Sequence, residues 1–331
     1  MSTEPMTDSQ LENVQVSDLT KVDDLPLILN VDSGGVRSLA FIKKHKATIQ
    51  RLVDENGALL IRGLKVHSSK EFGNILAQAF DSPLLQYTYR STPRTEFRGN
   101  IYTATEYPSN QIIEQHNENA YSNSWPNRIG FLCYIEPTVG GETPISCSKT
   151  LYDRLPQEIK TAFEEKQVMY VRNYIDVDLP WTEVFQTEDR SEVESYCQDN
   201  NIEFEWLENG LRTKQVNPAT AVHEQTKDKL WFNQAHLFHV SNLEKDVADT
   251  LISTVGLENL PRNTFYGDGS PIPEAYLQTI RDLYKETKIK FKWKKNDILL
   301  LDNMRFTHGR ETFEGERQII VGMSCPNGVK A

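Results

Sequence analysis

The stretch KIKFKWKKNDILLLDNMRFTHGRETFEGERQIIVGMS, residues 288–324, indicates the fold class of this chain. Its first seven residues alternate lysine with Ile, Phe and Trp, which places the apolar side chains on one face of a strand. A turn at KND then leads into the buried strand ILLLD, and a tight turn at FEGE precedes the returning strand RQIIVGMS. Antiparallel strands at this spacing predict a double-stranded β-helix, or jelly-roll, as the mainly β core of an α+β chain.

Upstream patterns predict helices and insertions around this core. Helical spacing covers 37–54, 69–80, 156–168, 243–256 and 272–287, and short strands are predicted at 57–64, 128–137 and 143–147. The pattern over 170–240 is ambiguous. We expect residues 1–25 to form a flexible acidic arm and residues 26–331 to form one domain, with a lid inserted around 172–215.

The composition describes an ordinary soluble globular protein, with 38% hydrophobic and 25% charged residues. A net charge of −11 argues against a nucleic-acid binder, which would carry a basic excess. We expect no membrane span and no signal peptide, and therefore a cytoplasmic protein. Four cysteines lie far apart and form no CxxC pair, so we predict isolated thiols.

The segment EQHNENAY, residues 114–121, contains a histidine and an acid two residues apart. With seven histidines and 47 acidic residues in a chain of 331, roughly one pair with this spacing is expected by chance. His116 and Glu118 are therefore either metal ligands or part of a solvated polar strand. His308, which follows a buried strand far along the chain, would complete a 2-His-1-carboxylate triad, the Fe(II) site that leaves positions open for a 2-oxo acid and O₂.

A 2-oxo acid also needs a partner for its distal carboxylate. Arg317 begins the strand after the His308 hairpin, and its planar guanidinium can bind a carboxylate through two hydrogen bonds. Thr143 opens the strand after GGE and can add a hydroxyl donor. Arg310 is a further candidate, although a structural ion pair explains it equally well.

Five segments in order, HNENAY, GGETPI, LWFNQAHLFHVSN, FYGDGSPI and DNMRFTHGRETFEGER, resemble the TauD/TfdA group of Fe(II)/2-oxoglutarate dioxygenases, within the clavaminate-synthase-like superfamily. The resemblance runs from about residue 55 to 325. It implies that His116, Glu118 and His308 bind iron. It also implies that Thr143 and Arg317 bind the C5 carboxylate of 2-oxoglutarate.

Departures from the family pattern narrow the implied activity. Glu118 replaces the commoner aspartate, a variant typical of a natural-product branch that includes the syringomycin-pathway hydroxylase. Because related halogenases have Gly or Ala at this position, the glutamate disfavours halogenation. Val321 occupies the position at which taurine dioxygenase has its sulfonate-binding arginine, which argues against a taurine-like substrate.

The resemblance implies hydroxylation of an unactivated C–H bond in an amino acid or amino-acid-derived substrate. Desaturation, epoxidation and cyclisation would use the same iron site and stay open. The candidate substrate contacts are Asn119, Tyr121, Arg172, Asn233 and Arg305.

Three further interpretations stay open. The chain could be a non-catalytic jelly-roll binding protein, although such a protein has no need for Arg317. It could be a zinc hydrolase built on His223, His236 and His239. Lastly, lysines at 285–295 could dock an acidic carrier protein that presents the substrate, or they could simply protect a solvated edge strand.

Overall fold

The computed structural model describes residues 19–20, 26–32, 36–87, 89, 91–92, 94–175 and 178–327. The predicted arm, apart from residues 19–20, lies outside the described residues. The described helices are α1 Ser38–Lys44, α2 Lys46–Asn56, α3 Ser69–Phe80, α4 Ser148–Arg154, α5 Gln157–Lys166, α6 Trp181–Phe185, α7 Arg190–Asp199, α8 Ala235–Phe238, α9 Lys245–Val255 and α10 Glu274–Thr287. The described strands are β1 Leu19–Thr20, β2 Leu27–Asn30, β3 Ala58–Arg62, β4 Glu96–Phe97, β5 Ile101–Thr103, β6 Ile113–His116, β7 Pro126–Ile135, β8 Val139–Gly140, β9 Ile145–Cys147, β10 Val168–Tyr174, β11 Glu203–Leu207, β12 Gly210–Asn217, β13 Thr220–Val222, β14 Lys229–Trp231, β15 Arg262–Tyr266, β16 Ile298–Asp302, β17 Phe306–Arg310, β18 Phe313–Glu314 and β19 Gln318–Pro326.

Two sheets face each other across the central core. The large sheet has the order β1-β2-β3-β16-β7-β19-β5-β4, and the small sheet has the order β6-β17-β9. Apolar side chains of both sheets pack together, with Ile145 of β9 in one cluster with Phe131 of β7 and Val321 of β19. This is the predicted jelly-roll architecture, although in the described part of the chain the two sheets do not close into a barrel.

The large sheet is buried on both faces because its strands alternate between two cores. In β16, Leu299 and Leu301 point towards the small sheet, whereas Ile298 and Leu300 point towards helices α1–α3. Helix α3 packs closely where Gly130 and Gly322 pair across β7 and β19. A Cβ atom at Gly130 would lie 2.2 Å from a methyl group of Leu76, so glycine lets the helix reach the sheet.

A third sheet has the strand order β11-β12-β10-β15. Helices α4, α5, α7 and α10 cover it, and their side chains share a separate apolar cluster. The stretch 172–215 contributes α6, α7, β11 and most of β12 to this module. Its role as a lid stays a prediction.

Two local predictions differ from the structure. The predicted helix over 37–54 is divided into α1 and α2 at His45, which is buried and packs its ring 4.6 Å from that of Phe41. KIKFKWK buries Phe291 and Trp293 as expected but forms only one bridge, between Ile289 and Ile145. It meets β9, which is three residues long and offers little backbone for a ladder.

No helix in the described residues has the length and apolar character that a membrane span requires.

Candidate active site

Two of the predicted metal ligands are cross-strand neighbours in the small sheet. His116 ends β6, and His308 lies opposite it in the middle of β17. Their ring centroids lie 4.6 Å apart, as expected for side chains that share one face of an antiparallel pair. The ladder thus brings together two residues that are far apart in sequence.

Glu118 lies in the turn after β6, which holds it beside both histidines. Its backbone N–H donates to Asn303 Oδ1 at 2.7 Å, and Asn303 Nδ2 donates back to its carbonyl at 3.0 Å. The Glu118 carboxylate lies 3.5 Å from His308 Nε2. One ligand atom from each of His116, Glu118 and His308 lies within 4.8 Å of the others. Two imidazoles and one carboxylate form the donor set that Fe(II) oxygenases use, so these residues fit the metal.

The protonation state of His116 suits metal binding. Burial, together with the nearby His308, lowers the pKa of His116 to about 4, so its ring is neutral at pH 7. Its Nδ1 lies 2.8 Å from the Glu114 carbonyl. A proton on Nδ1 donates to that carbonyl and leaves the Nε2 lone pair available as a ligand.

Arg94 is a component of the site that the sequence analysis missed. Its Nη2 donates to both Glu118 oxygens, at 3.0 and 2.8 Å, and both side chains are 3% exposed. Burial alone would raise the pKa of Glu118, but the Arg94 charge and the hydrogen bond from His308 hold it well below its usual range. Glu118 is therefore ionised, and its charge is already balanced by Arg94 in the absence of a metal.

Thr143 and Arg317, the predicted cosubstrate residues, line one narrow cavity together with His116 and His308. Arg317 Nε donates to the Gly141 carbonyl at 2.8 Å, and its Nη2 lies 3.4 Å from Thr143 Oγ1. Gly141 has a φ of +72°, and a Cβ atom there would lie 2.9 Å from Arg317 Cδ. Gly141 thus leaves room for the aliphatic part of the Arg317 side chain.

Arg310 supports the wall of the same cavity. Its guanidinium donates to the carbonyls of Tyr107, Pro108 and Gln111 at 2.5–2.7 Å. It therefore ties the loop before β6 to β17, a structural role that the sequence left open.

A second, larger cavity of about 560 Å³ opens beside the same metal-ligand candidates. His116 and Glu118 line it, as does Arg94, which also lines the narrow cavity. The rest of its lining comes mainly from residues 91–114, 234–251 and 261–262. Its volume lies in the usual range for small-molecule sites.

None of the five predicted substrate contacts lines this cavity, and their role in substrate binding stays a prediction. Tyr121 donates its hydroxyl to the Tyr89 carbonyl, and the Asn119 amide oxygen accepts from Tyr121. Arg172 is buried with its guanidinium 4.7 Å from the Tyr174 ring centre.

The other two of the five are also engaged elsewhere. Asn233 donates to the Ala219 carbonyl at 2.8 Å, while its neighbour Gln234 lines the cavity. Arg305 donates to the Asp54 carbonyl near the end of α2 at 2.6 Å. Contacts within the fold thus engage these side chains, and some of the partners, such as the Asp54 carbonyl, lie far away in the sequence.

The proposed zinc site is wrong. His223 lies 3.0 Å from Asp302, His236 Nε2 lies 3.0 Å from the Gln115 carbonyl, and His239 is paired with Ser241. Within the described residues, His116, Glu118 and His308 form the one cluster able to hold a metal. The four cysteines are free, as predicted.

Comparisons with known proteins agree with this geometry. Residues 30–324 match the family described as "Taurine catabolism dioxygenase TauD, TfdA family". The chain is 38% identical over 280 residues to the dapdiamide synthesis protein DdaC of Enterobacter agglomerans, covering 84% of this chain and 85% of DdaC. It is 30% identical to a clavaminate synthase-like protein of Arabidopsis thaliana over 295 residues, which are 85% of this chain and 86% of that protein.

Solved structures share the fold at low sequence identity. PvcB from Pseudomonas aeruginosa aligns with a TM-score of 0.56 and 13% identity over 98% of this chain and 94% of PvcB. AAD-2, solved with Mn(II) and N-oxalylglycine, aligns with a TM-score of 0.52 and 11% identity over 94% of this chain and 96% of AAD-2. The sequence match over almost the whole jelly-roll shows that this chain belongs to the TauD/TfdA family of Fe(II)- and 2-oxoglutarate-dependent dioxygenases.

Proposed function

We propose that His116, Glu118 and His308 hold Fe(II), and that the enzyme hydroxylates an unactivated C–H bond of an amino acid or amino-acid-derived compound. The observation that carries this proposal is the position of the three ligand atoms, within 4.8 Å of one another where two cavities meet. The narrow cavity contains the groups suited to 2-oxoglutarate, and the larger one has room for the substrate.

When bound, Fe(II) with 2-oxoglutarate and O₂ supplies the oxidant for the C–H bond. The role of the protein is to orient both organic molecules and to exclude water. Arg317 and Thr143 offer a guanidinium and a hydroxyl to the distal carboxylate of 2-oxoglutarate. Burial, with the nearby Arg310, lowers the pKa of Arg317 to about 10, so this arginine still carries its charge at pH 7.

The cavity and the relatives both support this substrate class. A cavity of about 560 Å³ accepts an amino acid with an extended or acylated side chain. Similarity to a protein named for dapdiamide synthesis supports a role in natural-product biosynthesis. Desaturation, epoxidation or cyclisation at the same site is the alternative.

Presentation of the substrate on an acidic carrier protein is a finer part of the proposal. Lys290, Lys292 and Lys294 are exposed on the segment beside β9, on a chain whose net charge is −11. Such a basic strip would attract an acidic carrier that the rest of the surface repels.

Product analysis tests the reaction. The Fe(II)-loaded enzyme is given 2-oxoglutarate, O₂ and free or carrier-bound aminoacyl compounds, and both succinate and product mass are measured. Hydroxylation adds one oxygen atom at a saturated carbon, desaturation and cyclisation remove two hydrogen atoms, and epoxidation adds oxygen across a double bond. Folded, metal-loaded enzyme that releases no succinate with any of these compounds would contradict the proposal.

A further inference from the structure

The carboxylates that line the large cavity differ in whether a partner neutralises them. Glu118 is paired with Arg94 through two hydrogen bonds. Asp178 is paired with Arg262, at 2.6 and 2.7 Å. Each of these arginines lines the cavity too, so the charge of each lining guanidinium is already matched by a carboxylate.

Glu106 and Glu114 are the other two lining carboxylates among the described residues. Glu106 is exposed, and its Oε1 accepts from the Thr95 and Thr103 hydroxyls at 2.6 and 2.9 Å. Glu114 is half-buried, and its carboxylate has neither a hydrogen bond nor an ion pair with any described residue. It is therefore the lining carboxylate without a direct partner: its charge acts on Arg281, but the two side chains form neither a hydrogen bond nor an ion pair.

The strand fixes the direction of the Glu114 side chain. Glu114 and His116 lie two residues apart on β6, so both side chains point to the same face and into the cavity. Gln115 points the other way and donates to the Tyr284 carbonyl in the interior. Two residues along a strand span about 7 Å, so the Cα atoms of Glu114 and the proposed ligand His116 lie about that far apart.

The charge of the whole cavity favours a cation. Its described lining has four carboxylates and two guanidinium groups, and burial lowers the pKa of His239 to about 4, so this side chain is neutral at pH 7. The lining carboxylates of this cavity thus outnumber its guanidinium groups by two, and a cationic group would be attracted to Glu114, which has no direct partner.

We infer that Glu114 anchors an ammonium group of the substrate, so that the compound oxidised is an amino-acid derivative with a free amine. This inference rests on the proposed function and narrows its substrate class. The ammonium would bind Glu114 while the C–H bond to be oxidised lies nearer His116. A hydrogen bond to a charged group of this kind changes affinity by about 10- to 100-fold.

A binding experiment on the anaerobic holoenzyme tests the inference. Wild type, Glu114→Gln and Glu106→Gln are loaded with Fe(II) and 2-oxoglutarate and titrated with L-amino acid amides and their N-acetyl counterparts. The readout is the change in the visible charge-transfer band of the Fe(II)–2-oxoglutarate complex, which reports binding without turnover. Glu106→Gln is the matched control because it makes the same chemical change on the same cavity wall.

We expect wild type and Glu106→Gln to prefer the free amines by about 10- to 100-fold, and Glu114→Gln to lose most of that preference. A Glu114→Lys variant should reverse it and favour the N-acetyl compounds. An equal preference in wild type and Glu114→Gln, or no preference in wild type, would overturn the inference while leaving the iron site intact. Absence of the band in folded wild type would instead overturn the proposed function, and the inference with it.

Discussion

Replacing Arg94 by methionine tests how the charge of Glu118 is balanced. Both side chains are 3% exposed, so the variant leaves a buried carboxylate without its counter-charge. Removal of one partner from a buried ion pair costs about 3–5 kcal/mol of unfolding free energy. For a chain of 331 residues with an unfolding entropy of about 2.1 cal/mol/K per residue, each kcal/mol lowers Tm by about 1.4 °C, so the metal-free variant should melt about 4–7 °C below wild type.

The same reasoning predicts that a metal partly rescues the variant. A divalent cation held by His116, Glu118 and His308 supplies positive charge to the carboxylate in place of Arg94. The difference in Tm should therefore shrink when Mn(II) is added and reappear with a chelator. Calorimetry with and without Mn(II) measures both effects.

Arg154→Met is the matched control for Arg94→Met, because Arg154 pairs with Glu286 at the surface, where both side chains are about half exposed. It should change stability by less than about 1 kcal/mol, with or without metal. Our reasoning would be refuted if metal-free Arg94→Met melted within a degree of wild type, or if Mn(II) left its deficit unchanged.

Two further predictions concern the cosubstrate and pH. Arg317→Lys should weaken 2-oxoglutarate binding by about tenfold or more, because a lysine ammonium cannot bind a carboxylate through two parallel hydrogen bonds as a guanidinium does. Unchanged affinity in an anaerobic titration would refute the assignment of Arg317 to the cosubstrate. Burial lowers the pKa of His236 to about 3 in the folded protein, whereas the unfolded chain has a pKa of about 6.5. The unfolded state therefore takes up the proton first. The stability that the neutral ring contributes is fully present above about pH 6.5 and is progressively lost as the pH falls below that value. Metal-free protein should thus lose stability between pH 6 and 4, and His236→Gln should reduce that slope by up to about 1.4 kcal/mol per pH unit. Equal slopes in denaturant titrations of the two proteins would contradict this.

Local sequence patterns predicted the main buried strands and one helix. The apolar runs in ILLLD and RQIIVGMS predicted β16 and β19, and the helical spacing over 69–80 predicted α3. The metal and cosubstrate candidates could be named because their motifs resemble a family. These features need only short stretches of sequence.

The remaining features depend on contacts between distant segments. Arg94 lies 24 residues from its partner Glu118, in a segment without regular periodicity. Arg305 seemed free to bind substrate because its acceptor, the Asp54 carbonyl, lies 251 residues away. Glu114 became informative only once the partners of the other cavity carboxylates were known.

The most direct measurement of the central claim is an anaerobic titration of Fe(II) and 2-oxoglutarate into wild type and His308→Ala, followed by visible absorption. Our account predicts the charge-transfer band of the chelate in wild type and its loss in the variant, with both proteins folded by circular dichroism. A folded wild type without the band, or a band that persists in His308→Ala, would contradict the assignment of His116, Glu118 and His308 as the iron ligands.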